Sequence, residues 1–146
     1  MFKHILLPID GSDASNRAVD KGAELARALG AEVTLMTAIE QYPAGLMGGV
    51  YRAEDNPMHQ AARDAGAHWL QQATARLAKH GITPHELIMQ DRTVAQAILD
   101  AAKSTGADVI VMGSHGAGAL ERLLIGSQTQ RVLAKTNIPV LVLPLP

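Results

Sequence analysis

Short runs of consecutive aliphatic residues, alternating with segments of helical period, constrain this chain more than any other feature. The runs His4–Ile9, Glu32–Ile39, Asp108–Met112 and Val140–Leu143 are rich in Ile, Leu and Val and too short for helices. Continuous apolar runs, rather than strict alternation, predict strands covered on both faces, as in a parallel sheet. His85–Gln90 is a fifth, more polar candidate. Between them the spacing predicts helices. One covers 13–29 on Ala18, Gly22, Leu25 and Leu29, with Gly30 as its stop. A second covers 58–80 on Met58, Ala62, Ala65, Trp69, Ala73 and Leu77, stopped by Gly81. A third covers 94–104 on Val94, Ala97, Ile98 and Ala101, followed by Gly106, and a fourth covers 127–135. Thr93 with Gln96, and Ser127 with Gln130, have the spacing of a capping box. The order β-α-β-α-β-α-β-α-β implies right-handed crossovers and an α/β three-layer sandwich, a sheet with helices on both faces.

The 146 residues fit one domain, 1–146, able to bury a core without disulfides or metal. With 13 basic and 14 acidic residues the net charge is −1, which argues against a cationic nucleic-acid or membrane surface. Aromatic residues, 3% of the chain, are too few for a base-stacking platform. The absence of cysteine excludes disulfides, thiolate metal sites and thiol nucleophiles. The first apolar stretch, closed by Pro8 and Asp10, is too short for a signal peptide, and no run reaches membrane-spanning length. The expected location is the cytoplasm.

In open parallel sheets, ligands bind beyond the carboxyl ends of the strands, where strand order reverses. Three segments lie at such ends: Pro8-Ile9-Asp10-Gly11-Ser12, Ala38-Ile39-Glu40 and the run from Met112 through Gly113 to Gly118. Asp10 suits hydrogen bonding to ribose hydroxyls or a metal; it equally suits a helix cap or an Asx-turn. Three glycines between 113 and 118 let backbone N–H groups approach an anion, or make only a turn. Ile125-Gly126-Ser127-Gln128-Thr129 opens the last helix, whose N-terminus carries unpaired N–H groups and the positive end of the dipole. Ser127 reads as an N-cap, a phosphate ligand or both. Arg122 either offsets phosphate charge or is a plain surface cation. The stretch Glu40–Pro57 is long for a connection and reads as a lid, a recognition loop or a surface insertion.

Sharper motifs fail. G-x-x-x-x-G-K-[ST] is absent, and no G-x-G-x-x-G follows the first strand. Ser114 lacks the first glycine of a nucleophile elbow. His4, His59, His68, His80 and His85 are scattered and read as surface or packing residues.

Gly113-Ser114-His115-Gly116, nine residues from Ala117 to Ile125, then Gly126-Ser127 satisfy G-x-x-G, nine residues, G-[ST]. With the opening Ile5-Leu6-Leu7-Pro8-Ile9-Asp10-Gly11-Ser12 and the closing Asn137-Ile138-Pro139-Val140-Leu141-Val142-Leu143, the chain resembles the nucleotide-binding type of universal stress protein over essentially its whole length. That resemblance implies a Rossmann-like, five-stranded parallel sheet in order 3-2-1-4-5 with ATP at the reversal between strands one and four. Asp10 would hold the ribose or sit near the adenine, beside the backbone of Pro8 and Ile9. Ala38 would face the adenine, where the family often has Val. Met112, Gly113, His115, Gly116 and Ala117 would line the phosphate path. Gly126, Ser127 and Gln128, with Thr129, would bind phosphates. Mg2+ would be held mainly by phosphate oxygens and water. A homodimer through Val140–Leu143 is implied, with Pro144 and Pro146 stopping the strand; the same prolines would also guard the edge of a monomer.

Three readings follow: an ATP-binding regulatory module of a stress response, a nucleotide hydrolase or adenylyl or phosphoryl transferase, and an interaction protein without nucleotide. The complete glycine signature favours the first. Asp10 is the one nearby carboxylate to nominate as a general base, and a ribose role would occupy it, so at most slow hydrolysis is expected.

Overall fold

The computed structural model describes residues 1–40, 57–115 and 125–144. The elements run β1 (His4–Pro8), α1 (Asp13–Leu29), β2 (Glu32–Glu40), α2 (Pro57–Ala78), β3 (His85–Asp91), α3 (Val94–Thr105), β4 (Val109–Gly113), α4 (Ser127–Lys135) and β5 (Val140–Leu143). The sheet is parallel throughout, in the order β3-β2-β1-β4-β5. Both the α/β architecture and the 3-2-1-4-5 order are those expected. Strand β3, the weak candidate, is an edge strand with no fully buried residue, which is why its sequence is more polar than the others.

Burial on both faces explains the continuous apolar runs. Ile5, Leu7, Val33, Leu35, Val109 and Val111 face α1 and α2, in one cluster with Val19, Ala23, Leu70 and Leu77. Leu6, Met36, Ile110 and Met112 face the other way, packing with Ile98 and Ala101 of α3 and Val132 of α4. Strand residues alternate between the two layers, and neither layer is polar. Helices α1 and α2 therefore share one face while α3 and α4 share the other, the arrangement that right-handed crossovers produce when strand order turns back after β3.

The α2 stripe sits about one residue away from expectation in its first half, and the α1 stripe departs from it only at Leu29. In α2 the buried face is Gly66, Leu70, Ala73 and Leu77, while Met58 is 53% exposed and Trp69 lies at the margin of the cluster. In α1 the buried residues include Ala18, Val19, Gly22, Ala23 and Ala26, and Leu29 is exposed. Close approach to the sheet decides the rotation. A Cβ at Gly66 would stand 2.9 Å from Thr37 Cγ2, and one at Gly22 would stand 2.6 Å from Leu7 Cδ2. Small residues sit at these points of closest approach, and Val19, Leu70 and Leu77 pack beside them.

Caps behave as the sequence indicates for α1 and α3. Gly30 ends α1 in the left-handed region with φ 63°, a conformation glycine adopts at little cost. Thr93 caps α3 by accepting from the Gln96 N–H at 3.1 Å. The reciprocal half of that capping box is absent, because the Gln96 side chain donates to Asp100 instead.

Asp108 ties the start of β1 to the start of β4. Its carboxylate accepts from Lys3 N–H at 2.8 Å and His4 N–H at 3.1 Å. Desolvation pushes the carboxyl pKa up; the backbone N–H groups of Lys3, His4 and Asp108, with the charge of His4, outweigh it and hold the pKa below 3.8. A carboxyl with a depressed folded-state pKa contributes stability that is present above its unfolded value and lost as pH falls through the folded one. Asp108→Asn should therefore lower the denaturation midpoint at pH 7, and the gap to the parent should narrow as pH is taken below 3.8. A gap that stays constant with pH would contradict this account.

Candidate functional site

The site begins where β1 and β4 part. Their pairing runs through Ile5↔Val109 and Leu6↔Ile110. Beyond that, β1 stays with β2 to Pro8↔Met36, and β4 stays with β5 to Gly113↔Leu143. Proline supplies the reason. Ile9 N–H donates to Met36 O at 2.8 Å on the β2 side, whereas His4 O accepts from Asp108 N–H at 3.0 Å on the β4 side. Alternate residues of β1 thus address opposite neighbours, and Pro8 takes a position whose N–H would address β4. It has none to donate.

The crevice that opens there holds about 500 Å³, within the roughly 300–1,000 Å³ usual for ligand sites. From β1 come Pro8, Ile9 and Asp10, and from β2 comes Ala38. Met112, Gly113 and His115 reach it from the end of β4. Gly126, Ser127, Gln128 and Thr129 reach it from the start of α4. Of the residues named from sequence, Gly116, Ala117 and Arg122 lie outside the described residues, as do positions 41–56 of the Glu40–Pro57 stretch.

Five further residues line the cavity: Ser15, Met36, Glu40, Val94 and Ile98. Met36, Val94 and Ile98 carry no signal that separates a cavity wall from a core position. Glu40 did carry one, its place at the carboxyl end of β2. It adds a second carboxylate beside Asp10, so Asp10 is not the one acid available.

Asp10 makes an Asx-turn, its Oδ1 accepting from Ser12 N–H at 3.0 Å. It does not cap α1. That role belongs to Ser12, whose hydroxyl accepts from Ser15 N–H at 3.1 Å. The turn between them needs Gly11, whose φ is +78°, and a Cβ there would stand 2.3 Å from Trp69 Nε1. The indole of α2 therefore lies directly on the turn that presents Asp10.

The start of α4 differs from expectation. Gly126, not Ser127, is the N-cap, and no side chain caps the helix. Ser127 is the first helical residue, and Gln130 donates to Ile125 O at 2.7 Å, so the pair forms no capping box. Gln128 Oε1 accepts from Ala95 N–H at 3.0 Å, tying α4 to the first turn of α3. Thr129 Oγ1 donates to Gly113 O at 3.1 Å. The first bond inside the helix is Gln130 N–H to Gly126 O. What α4 offers a ligand is thus the N–H groups of 127–129, the Ser127 hydroxyl and the positive end of its dipole.

His115 forms part of the opposite wall. It is 8% exposed; its Nδ1 lies 2.8 Å from Ser114 Oγ, and its buried Nε2 has no hydrogen-bond partner among the described residues. An unmet buried polar atom costs about 1–3 kcal/mol, so this ring calls for a ligand or water. Among the described residues, no group of three or more His, Asp or Glu is placed to hold a metal ion. No helix among them is long and apolar enough to cross a membrane.

Comparison with known proteins now has a geometry to meet. The profile of the Universal stress protein family matches residues 1–144. The chain belongs to the universal stress protein family. The Thermus aquaticus "universal stress protein in QAH/OAS sulfhydrylase 3'region" is 35% identical over 142 residues, covering 97% of this chain and 98% of that protein. The solved structure of MJ0577, a universal stress protein of Methanocaldococcus jannaschii, superposes with a TM-score of 0.85 at 26% identity, covering 100% of this chain and 98% of that one. A universal stress protein of Archaeoglobus fulgidus in complex with dAMP shares the fold, with a TM-score of 0.69 at 22% identity over 97% of each chain.

In this universal stress protein the turn at Gly11 makes a direct test of the cleft's construction. Gly11→Ala should cost about 1–2 kcal/mol from the left-handed backbone alone, with a further loss from displacing the indole. Trp69 is the chain's one tryptophan, so its emission should shift in the folded variant. Unchanged stability and emission would show that Trp69 does not pack on this turn.

Proposed function

We propose that this chain, acting as a single domain over 1–146, is an ATP-binding regulatory module. It would hold the nucleotide in the cleft between β1 and β4 and signal its occupancy to a stress-response partner in the cytoplasm. The observation that carries the proposal is the convergence, on one cavity of about 500 Å³, of an uncapped helix N-terminus, the Asp10 turn and His115, whose buried Nε2 has no partner among the described residues. Phosphates suit the α4 N-terminus. Adenine suits the apolar side of the cleft, where Met36, Ala38, Val94 and Ile98 stand. A fold-sharing relative described in complex with dAMP lends the reading support at the level of the fold.

In this proposal Asp10, presented by its turn, meets a ribose hydroxyl, and Pro8 and Ile9 border the base. Gly113 and His115, with Gly116 and Ala117, would border the phosphate path. Ser127, Gln128 and Thr129 act there chiefly through backbone N–H groups, since the Gln128 carbonyl and the Thr129 hydroxyl are engaged within the protein, while Gly126, whose own N–H donates to Ser114 O, lets the backbone come close. Mg2+ would arrive with the phosphates and keep water ligands, as this ion does when few carboxylates are at hand. Glu40 stands on the far side of β1 from β4. Asp10 is bound into its turn. Neither is placed as a general base for water at a terminal phosphate, so hydrolysis is slow or absent.

The test is extraction of small molecules from freshly purified protein, identified by mass spectrometry, followed by ATP titration of the stripped protein and of Ser127→Asp. A carboxylate in the first turn stabilises a helix but repels phosphate. The variant should keep its thermal stability and bind ATP at least about tenfold more weakly, the worth of one charge-assisted hydrogen bond. Absence of ATP binding by the parent would refute the proposal.

The proposal includes a homodimer through β5, the edge strand next to β4. Leu141 there is 42% exposed, an apolar edge that pairing would cover. Leu141→Arg should convert a dimer to a monomer by sedimentation velocity, and a monomeric parent would end this part of the reading.

A further inference from the structure

Ser114 and His115 stand together at the end of β4, buried to 7% and 8% exposure. The backbone of Ser114 is held on both sides. Its N–H donates to Leu143 O of β5 at 2.8 Å, and its carbonyl accepts from Gly126 N–H, at the cap of α4, at 2.7 Å. The Ser114 hydroxyl lies 2.8 Å from His115 Nδ1 and makes no other hydrogen bond among the described residues.

That contact bears on which ring nitrogen carries the proton. In neutral imidazole one nitrogen donates and the other accepts. A buried hydroxyl must place its own hydrogen on an acceptor or leave it unsatisfied. Nδ1 is the acceptor within reach of Ser114 Oγ. The reverse arrangement, Nδ1–H donating to the hydroxyl oxygen, would leave the Ser114 hydrogen without a partner among the described residues. The hydroxyl therefore donates to Nδ1, and the ring proton resides on Nε2. Nε2 is the buried atom left without a partner.

We infer that Ser114 is a positioning residue that locks His115 as the Nε2–H tautomer, making it a neutral hydrogen-bond donor to an acceptor oxygen of the nucleotide's phosphate chain. The inference rests on the nucleotide reading above and deepens it. It assigns a role to a serine that neither caps a helix nor lines the cavity. The bond from Gly126 N–H to Ser114 O ties the backbone beside the histidine to the N-terminus of α4, and both His115 and the first residues of α4 line the cavity. A neutral donor adds a hydrogen bond without the desolvation cost of burying an imidazolium.

Three measurements on the full chain test this. Nitrogen-15 NMR of histidine-labelled protein should show His115 as the Nε2–H tautomer before nucleotide is added. Ser114→Ala should shift that ring toward a mixture of tautomers and weaken ATP binding by about tenfold, with its thermal unfolding recorded alongside. Glutamine places an amide N–H near the position of imidazole Nε2 without needing Ser114, so Ser114→Ala should weaken ATP binding much less in a His115→Gln background than in the parent. If Ser114→Ala fails to fold, the tautomer in the parent still decides. A parent that binds ATP but carries the proton on Nδ1 overturns the tautomer lock alone. So does equal weakening by Ser114→Ala in both backgrounds. A parent that binds no ATP overturns the proposed function itself.

Discussion

The parting of β1 and β4 underlies everything else at this site. A parallel sheet buried on both faces gains from continuous pairing, and two central strands have no solvent to satisfy unpaired groups. The pairing nonetheless stops after Leu6 and Ile110, because Pro8 has no N–H to give β4. Each strand keeps its outer partner, so the sheet stays whole while a crevice opens at its centre. The turn of Asp10 and Gly11 and the start of α4 stand on either side of that crevice because they follow the two strands that diverge.

The cleft is rigid where it would meet a ligand. Asp10 is held by Ser12, Ser12 caps α1, and the indole of Trp69 closes on Gly11. Across the crevice Gly113 sits against α1, where a Cβ would stand 3.0 Å from Ala14 Cβ and 3.1 Å from Ala14 O. That glycine therefore serves helix–strand packing at the wall of the cleft. Thr129 and Gln128 spend their side chains bracing β4 and α3. Backbone N–H groups are left facing the cavity, and such groups need no reorganisation when an anion arrives.

Much of the architecture was legible because each strand is apolar on both faces and each helix has a clear stop. The bounds of α1, α4 and β5 agree with the spacing, and the remaining elements shift by only one or two residues. Ala18 and Gly22 of α1 are buried as read, whereas the first half of the α2 stripe was read one residue out. Periodicity marks where large apolar residues lie, but Gly66 faces the strands because it permits the approach to Thr37. At the site, most of the lining came from position at strand ends and from the glycine spacing. Met36, Val94 and Ile98 escaped because a side chain on a cavity wall obeys the same pattern as one in the core.

By itself the sequence determined the element order, the layers and the end of the sheet at which a ligand would meet the chain. These follow from local periodicity and from the limited handedness of parallel crossovers. The tertiary structure alone decided the helix faces, the cap of α4 and the partners of Asp10, Gln128 and Thr129. It also decided that His115 would be buried with one nitrogen bonded to Ser114 and the other without a partner among the described residues. Hydrogen-bond assignments of this kind depend on distances of about 3 Å between groups remote in sequence. No spacing along one chain encodes them; they exist only once packing has brought β4, β5 and α4 together.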